Sequence, residues 1–237
     1  MFLVVKRYSL LADTLAHVSL LGVAVAAVFR INPIVGALIA STLAAFGIEK
    51  LRATRKIFGE SILALFLSGS LALALIVLGL AHGLNINIFS FLFGSITTVS
   101  QSDIYLIGIF GGLVIMVTVL LFKRLFIVAY DEELAQANGL PTSFLNLLLI
   151  VMAAVTVSIS MRVVGILLVG ALMVIPVLSA TQFGKGFLKT AILAVVFSFV
   201  AVVAGLFVSF YINLPSGATI VLLALIIFGI SLLFHKK

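Results

Sequence analysis

The stretch AILAVVFSFVAVVAGLFVSF, residues 191–210, contains no charged side chain. At a rise of about 1.5 Å per residue, a helix of this length spans about 30 Å, which is the thickness of the hydrocarbon core of a bilayer. The whole chain is similar: 64% of its 237 residues are hydrophobic and 9% are charged, whereas soluble domains have about 45–50% and about 25%. This composition excludes a soluble enzyme and a disordered chain, and it predicts an all-α, polytopic membrane helical bundle.

Apolar runs between charges and turn residues predict eight transmembrane segments that leave little of the chain outside the membrane. Because each crossing takes about 20 residues, eight crossings use about two thirds of the sequence. One segment, at 33–48, is short for a full crossing. Residues 1–237 are therefore predicted to form a single transmembrane domain, with segments near 8–29, 33–48, 60–80, 104–122, 142–160, 163–180, 187–210 and 217–234.

The basic residues predict how the chain is oriented in the membrane. With the N-terminus in the cytoplasm, 12 of the 14 lysines and arginines lie on the inner side, and only Arg30 and Arg162 lie outside. This split follows the positive-inside rule and requires both termini to be cytoplasmic. Residues 1–5, MFLVV, run directly into Lys6 and Arg7, which is typical either of the end of an upstream helix or of a short cytoplasmic leader.

Two connections between the segments have a composition of their own. Residues 81–103, AHGLNINIFSFLFGSITTVSQSD, predict a short helix at or dipping into the outer face. His82 and Asp103 are expected to be solvated loop residues or contacts for a delivering protein. The long side chain of Arg162 is expected to extend to the lipid headgroups on the outer side. Residues 130–143, YDEELAQANGLPTS, predict a short amphipathic helix on the inner face, where a partner protein could contact it.

Asp13 and His17 are the residues within the membrane that could bind a ligand. They are four residues apart, so both project from one face of the first helix, roughly 9 and 15 Å beyond Arg7 along the helix axis. Ionisable groups at such depth usually line a polar pathway, and a carboxylate with an imidazole suits zinc, manganese or iron. The alternative is an Asp–His hydrogen bond that only holds helices together. Glu60 could complete a metal site, or it could be a solvated carboxylate or a partner of Lys56.

Several kinds of chemistry are excluded by the absence of their motifs. The chain has no cysteine, which rules out disulfides and thiolate metal sites. It also lacks a P-loop, an H-E-x-x-H zinc motif and a G-x-S-x-G nucleophile elbow, so it is not predicted to be an enzyme. A net charge of +7 in a membrane chain mostly records orientation, so no nucleic-acid partner is predicted. Pro176, together with Gly165, marks a possible hinge or a packing feature.

Five stretches of the sequence resemble the metal-ion permeases of ATP-binding-cassette importers. RYSLLADTLAHVSLLGVA at 7–24 resembles the first signature of that family, which contains an aspartate and a histidine four residues apart. FLFGSITTVSQSD at 91–103 is similar to its second signature, and YDEELAQANGLP at 130–141 to its cytoplasmic coupling helix. VVGILLVGALMVIPVLSAT at 163–181 and LPSGATIVLLALIIFGISLLF at 214–234 resemble its penultimate region and last helix.

The resemblance implies a homodimeric permease domain in the cell membrane, surrounded by lipid. It implies pairing with two ATPase subunits and delivery of the metal by an extracytoplasmic binding protein, with no permanently bound cofactor. Asp13 and His17 match the metal-coordinating positions of the family, and Glu60 stands where the family usually has an aspartate. The family normally has one more helix before residue 7, so the first helix is expected to be missing. The coupling loop is residues 130–143, with contacts to the ATPase expected from Tyr130, Asp131, Glu132, Glu133, Leu134, Ala135 and Gly139.

The resemblance points most closely to the zinc-uptake branch of the family, with manganese or iron as the alternative. Two ligands do not determine the choice of metal. Two other classes of protein remain open from the residues alone. One is a proton- or sodium-coupled secondary transporter in which Asp13 and His17 relay protons, and the other is a membrane scaffold that transports nothing. The first would work without an ATPase and leaves the 130–141 motif unexplained. The second gives no reason for an aspartate and a histidine within the membrane.

Overall fold

A computed structural model describes residues 1–54, 58–80, 88–95 and 99–234 of the chain. Within these ranges the protein is entirely helical and contains no strand, which confirms the predicted all-α class. The eleven helices of the described residues are α1 (Phe2–Val5), α2 (Ser9–Val28), α3 (Pro33–Ala53), α4 (Gly59–Leu80), α5 (Ile88–Phe93), α6 (Gln101–Tyr130), α7 (Glu132–Ala137), α8 (Thr142–Val164), α9 (Ile166–Thr181), α10 (Phe187–Ile212) and α11 (Ser216–Leu232).

Six of these helices are long and apolar enough to cross a membrane, namely α2, α3, α4, α6, α8 and α10. The segments predicted at 163–180 and 217–234 form the shorter apolar helices α9 and α11, of 16 and 17 residues. The count of eight crossings and the missing first helix therefore stay predictions. Before α2, residues 2–5 form the single helical turn α1, which packs on α6.

Two predicted boundaries were wrong for the same physical reason. The segment at 33–48 is not short, because α3 continues to Ala53 and has 21 residues. Likewise α6 spans 30 residues rather than the predicted 104–122. In both cases basic residues interrupt the apolar run, which ended the predicted segment, but they do not end the helix. In the last turn of α3, Lys50 and Arg52 even interact favourably with the helix dipole.

Local capping explains where α3 and α6 begin. The side chain of Asn32 accepts a hydrogen bond from the Ile34 amide at 2.8 Å, and Pro33 occupies the first helical position, where its missing N–H costs nothing. At α6, the Ser100 hydroxyl accepts from the Asp103 amide while the Asp103 carboxylate accepts from the Ser100 amide. This capping box satisfies two amides that the helix itself leaves unpaired.

Helix α2 lies at the centre of the bundle and packs against α3, α4, α8 and α9. Three buried hydroxyls join it to two of these neighbours: Ser158 of α8 is 3.1 Å from Ser19 of α2 and 2.7 Å from Ser41 of α3. Hydrogen bonds of this kind stabilise helix contacts where lipid provides no hydrophobic driving force. Helices α2, α3, α4, α6 and α8 form one group, and α9, α10 and α11 pack on one another as a second group. The two groups meet mainly where α2 packs against α9.

A single glycine separates α8 from α9. Gly165 has φ 92° and ψ 149°, a conformation that is essentially restricted to glycine. A Cβ at this position would overlap the backbone of Phe93 and Gly94 at the end of α5. Helix α5 therefore packs by its backbone on the α8–α9 junction, and the Ser95 amide donates to the Arg162 carbonyl at 3.0 Å. Pro176 is buried within α9, which stays helical on both sides of it, so the hinge function of both residues stays a prediction.

The short helix predicted between the third and fourth segments is present as α5. It contacts α8, α9 and α11, and Phe91 is buried in the main core. His82 lies outside the described residues, as do Arg55, Lys56, Lys236 and Lys237. Within α5 the Phe91 side chain is buried, whereas Phe93 at the end of the helix is exposed.

Candidate functional site

Asp13 and His17 lie on one face of α2, as their spacing predicts. Twelve of the twenty residues of this helix are buried, whereas these two are half-buried. Asp13 faces α9, because a Cβ built on Gly170 would overlap its Oδ1 atom. The pair therefore lies at the contact between the two groups of helices, at a place where only glycine leaves room for the carboxylate.

The imidazole of His17 has a nitrogen that nothing in the described chain satisfies. Its Nδ1 atom is buried and makes no hydrogen bond to any described residue. Buried polar atoms normally have a partner, so this one requires an explanation. The structural alternative, an Asp–His hydrogen bond through Nδ1, is not formed. A neutral imidazole nitrogen with a free lone pair near a carboxylate is able to coordinate a metal ion.

Glu60 is not brought together with this pair in the described chain. It is exposed in the first turn of α4. Among the described residues, no three His, Cys, Asp or Glu side chains come close enough to hold one metal ion. The assignment of Glu60 as a third ligand therefore stays a prediction, as does metal binding by Asp13 and His17.

The predicted coupling segment forms α7 and its two flanks. The Asp131 carboxylate caps the helix by accepting from the Leu134 amide at 2.9 Å, and Gly139 ends it with φ 74°. Ala135 is buried, whereas Glu132 is partly buried. The exposed residues of α7 and its flanks include Tyr130, Asp131, Glu133, Leu134 and Gly139. This mixture of aromatic, aliphatic and acidic side chains suits contact with another protein.

Glu132 connects α7 to the bundle through ionic contacts that the sequence analysis missed. Its carboxylate is 3.2 Å from Lys6 Nζ and 3.5 Å from an Arg52 guanidinium nitrogen, and it accepts from Asn146 Nδ2 at 2.8 Å. Lys6 also donates to Asn146. Arg52 in turn pairs with Glu49 at 2.9 Å. We call Lys6, Arg52, Glu132 and Asn146 the ionic cluster. Its members are far apart in the sequence, and no local motif marks them.

The charges of the ionic cluster affect one another. Burial lowers the pKa of Lys6, and the nearby Glu132 carboxylate opposes that shift. Burial alone would raise the pKa of Glu132, but Lys6 and Arg52 outweigh it and lower the pKa below its ordinary value. Glu132 therefore stays deprotonated at neutral pH and remains a partner for both cations.

A second ion pair, at the opposite end of α8, corrects two predictions. Asp103 is not a solvated loop residue: it is buried, and it pairs with Arg162 and accepts from Asn32 Nδ2 at 3.2 Å. Arg162 does not extend freely, because its guanidinium pairs with Asp103 and lies over the Phe91 ring. The Ser-x-x-Asp spacing at 100–103 is a capping-box motif and could have indicated the capping role of Asp103. The partner 59 residues away could not be inferred from it.

Breaking this buried pair is expected to destabilise the protein. Arg162→Met leaves the Asp103 carboxylate buried without its cation, which typically costs about 3–5 kcal/mol. The variant should therefore have a markedly lower thermal unfolding midpoint in detergent. Arg30→Met removes an exposed arginine and serves as the matched control. An equal shift in both variants would show that the Asp103–Arg162 pair adds nothing to stability.

Together these features define a class: a multi-pass helical membrane protein with a polar pair inside the bundle and a short exposed helix at its surface. The chain belongs to the ABC 3 transport family, whose sequence model it matches over residues 1–235. It is thus a permease of the metal ATP-binding-cassette transporter family, as its motifs predicted.

The relatives that this chain resembles are named for two metals. It is 32% identical over 237 residues to the manganese transport system membrane protein MntC of Listeria monocytogenes, covering 100% of this chain and 84% of that protein. It is 25% identical over 237 residues to the high-affinity zinc uptake system membrane protein ZnuB of Haemophilus influenzae, covering 100% and 90%. The names support metal transport and do not separate zinc from manganese.

A solved structure has the same fold. A chain of PsaBC from Streptococcus pneumoniae, determined in complex with Fab, superposes with a TM-score of 0.85 and is 30% identical. The match covers 97% of this chain and 83% of that one. The arrangement of the helices is therefore shared with a chain of that solved complex over nearly the whole length of this protein.

Proposed function

We propose that this protein is the membrane permease of an ATP-driven importer and that Asp13 and His17 bind the divalent metal that it carries. The observation that supports this most strongly is the buried His17 Nδ1 atom, which lacks a hydrogen-bond partner in the described chain and lies one helical turn from a carboxylate. Removing water from a divalent ion is costly in a medium of low dielectric constant, so the ion needs such ligands to cross.

Zinc is the proposed cargo, and manganese is the alternative that the names of relatives support. Imidazole favours zinc and iron, whereas carboxylate oxygen is also a good ligand for manganese. A pair with one of each is compatible with either metal. Iron remains the third candidate on the same chemical grounds.

Two ligands make an open site, which suits transport better than storage. A closed zinc site has four protein ligands, so this pair leaves positions for water or for groups of another subunit. Glu60 is proposed as a third ligand, which requires a conformation or a second copy that brings the start of α4 to the pair. A site that is incomplete in one state of the protein allows the ion both to enter and to leave.

The proposed assembly is a homodimer of this chain with two ATPase subunits and an extracytoplasmic metal-binding protein. Each chain would cross the membrane eight times and keep both termini in the cytoplasm. Helix α7 and its flanks would contact the ATPase through Tyr130, Asp131, Glu133 and Leu134, which are exposed. Family membership favours this ATP-driven mechanism over the proton-coupled transporter and the scaffold that the residues alone left open.

Opening the site requires α9 to move relative to α2, because Asp13 packs directly against Gly170. Gly165 is the proposed hinge for this movement, because it is the single residue between α8 and α9 and its backbone is not helical. Pro176 would add flexibility within α9, because proline removes one hydrogen bond of the helix. ATP binding would favour one arrangement of α2 and α9 over the other.

The direct test is reconstitution of the complex in proteoliposomes with its ATPase subunit. Uptake of zinc, manganese and iron is measured with ATP and without it, and with a proton gradient alone. We expect uptake only with ATP, and we expect zinc to be taken up fastest. Uptake driven by the proton gradient without ATP would refute the proposal and support the secondary transporter.

Gly170→Ala is expected to lower uptake at least about tenfold, because a displacement of about 1 Å in a functional group can already reduce activity by more than this factor. The added methyl group overlaps Asp13 Oδ1 and must displace the carboxylate. The protein should still fold, since the clash is with the end of a side chain. Gly229→Ala, in the open on α11, is the matched control. Equal uptake by the two variants would contradict the placement of Asp13 at a working site.

A further inference from the structure

Helix α7 is exposed on one side and attached to the bundle by Glu132 on the other. Lys6, the partner of Glu132, is almost completely buried, with 6% of its side chain exposed, whereas 42% of the Glu132 side chain is exposed. Asn146, which contacts both, is also buried. The ionic cluster therefore joins a surface helix to groups inside the protein.

A displacement of α7 cannot leave the ionic cluster unchanged. If Glu132 moved away alone, the Lys6 ammonium would stay buried without its carboxylate, which is strongly unfavourable. Moving Lys6 together with Glu132 avoids this. Arg52 makes a second connection, since it contacts Glu132 at 3.5 Å and donates to the Tyr8 hydroxyl at 2.6 Å.

Both connections lead to the start of α2. Tyr8 is the N-cap residue of this helix, and Lys6 lies two residues before it, in the turn that joins α1 to α2. From Ser9 to His17 the helix contains no glycine or proline, so it can move as a rigid rod over about 12 Å. The predicted metal ligands lie on this part of α2.

We propose that Glu132 is a positioning residue for transport, which through Lys6 and Arg52 ties the movement of α7 to α2 and so to Asp13 and His17. This inference rests on the proposed function, because the force on α7 would come from the ATPase. It gives Glu132 a function different from that of its neighbours in the coupling segment: Glu132 acts inside the permease, and the exposed residues act on the partner protein.

The test uses the complex reconstituted with its ATPase and measures metal taken up per ATP hydrolysed. Glu132→Gln and Lys6→Met are each expected to lower this ratio about tenfold, as is typical of residues that carry coupling without touching the ligand, while equilibrium binding of the metal is unchanged. Arg7→Met is the matched control, because Arg7 is adjacent to Lys6 and exposed. It should keep the wild-type ratio.

The double variant Lys6→Met/Glu132→Gln distinguishes a connection from two independent effects. If the two residues act as a pair, the double variant is no worse than the worse single variant. The inference would be overturned if the losses of the two single variants multiplied in the double variant. It would also be overturned if the single variants took up as much metal per ATP hydrolysed as Arg7→Met. If Glu132→Gln does not assemble in the membrane, Glu132→Asp keeps the charge on a shorter arm and should give an intermediate ratio, and a wild-type ratio would overturn the inference. A wild-type complex without ATP-dependent uptake would instead refute the proposed function itself.

Discussion

Asp13→Asn and His17→Gln are each expected to abolish metal uptake, with a loss of at least about a hundredfold, while the protein accumulates in the membrane as the wild type does. Replacing a residue that only orients a metal ligand already lowers metal affinity or activity by about 10–100-fold. If the proposal is right, removing the carboxylate takes away the negative charge that offsets the dehydration of the ion. Removing the imidazole would take away the second proposed ligand, and no third His, Cys, Asp or Glu of the described chain lies close enough to replace it.

Asparagine and glutamine keep a polar side chain of similar length at each position, so the packing of α2 on its neighbours should be preserved. Ser68→Ala, at an exposed position of α4, is the control for removing a polar group from a membrane-length helix. Glu60→Gln is measured in parallel and should fall with the other two only if Glu60 is a third ligand. Uptake by the Asp13→Asn/His17→Gln double variant at the wild-type rate would contradict the proposed site.

Gly165→Ala is expected to have the largest effect on folding. Alanine is strained in the backbone conformation that Gly165 adopts, at a cost of about 1–3 kcal/mol. Its methyl group would also overlap the backbone of Phe93 and Gly94, and forced overpacking adds about 1–3 kcal/mol more. In a chain of this size, about 1 kcal/mol corresponds to about 2–4 °C. The thermal unfolding midpoint in detergent should therefore fall by roughly 5–20 °C.

Gly184→Ala is the control for a glycine with a positive φ and no steric clash. Gly184 also has a positive φ, of 59°, but a Cβ there would meet nothing within 4 Å. This variant has backbone strain without a steric clash and should lose clearly less stability than Gly165→Ala. Equal midpoints for the two variants would show that the close contact between α5 and the α8–α9 junction is not needed for folding.

The helices were predictable from the sequence wherever composition alone decides. Residues 191–210 have no charge and form the centre of α10, and Pro33 after a capping asparagine marks the start of α3. Ends were harder to place, because basic residues close an apolar run but are compatible with a helix. The length of α6 shows this: Lys123 and Arg124 lie inside it rather than after it.

The candidate site was predictable only where it is local. Asp13 and His17 belong to one turn of one helix, so their shared face follows from the sequence. By contrast, Glu132 and Lys6 are 126 residues apart, and Asp103 and Arg162 are 59 apart. From its local sequence, each of these charged residues is expected to lie at the surface or at an interface. Their pairing depends on which helices become neighbours, which no single segment encodes.

The most direct test of the Asp13–His17 site is X-ray absorption spectroscopy of the assembled transporter loaded with one equivalent of zinc. We expect a first shell of nitrogen and oxygen ligands at about 2.0–2.2 Å that includes a histidine imidazole. The imidazole signal should vanish in His17→Gln, and the bound zinc should be lost in Asp13→Asn/His17→Gln. An unchanged zinc spectrum and stoichiometry in the double variant would contradict the account.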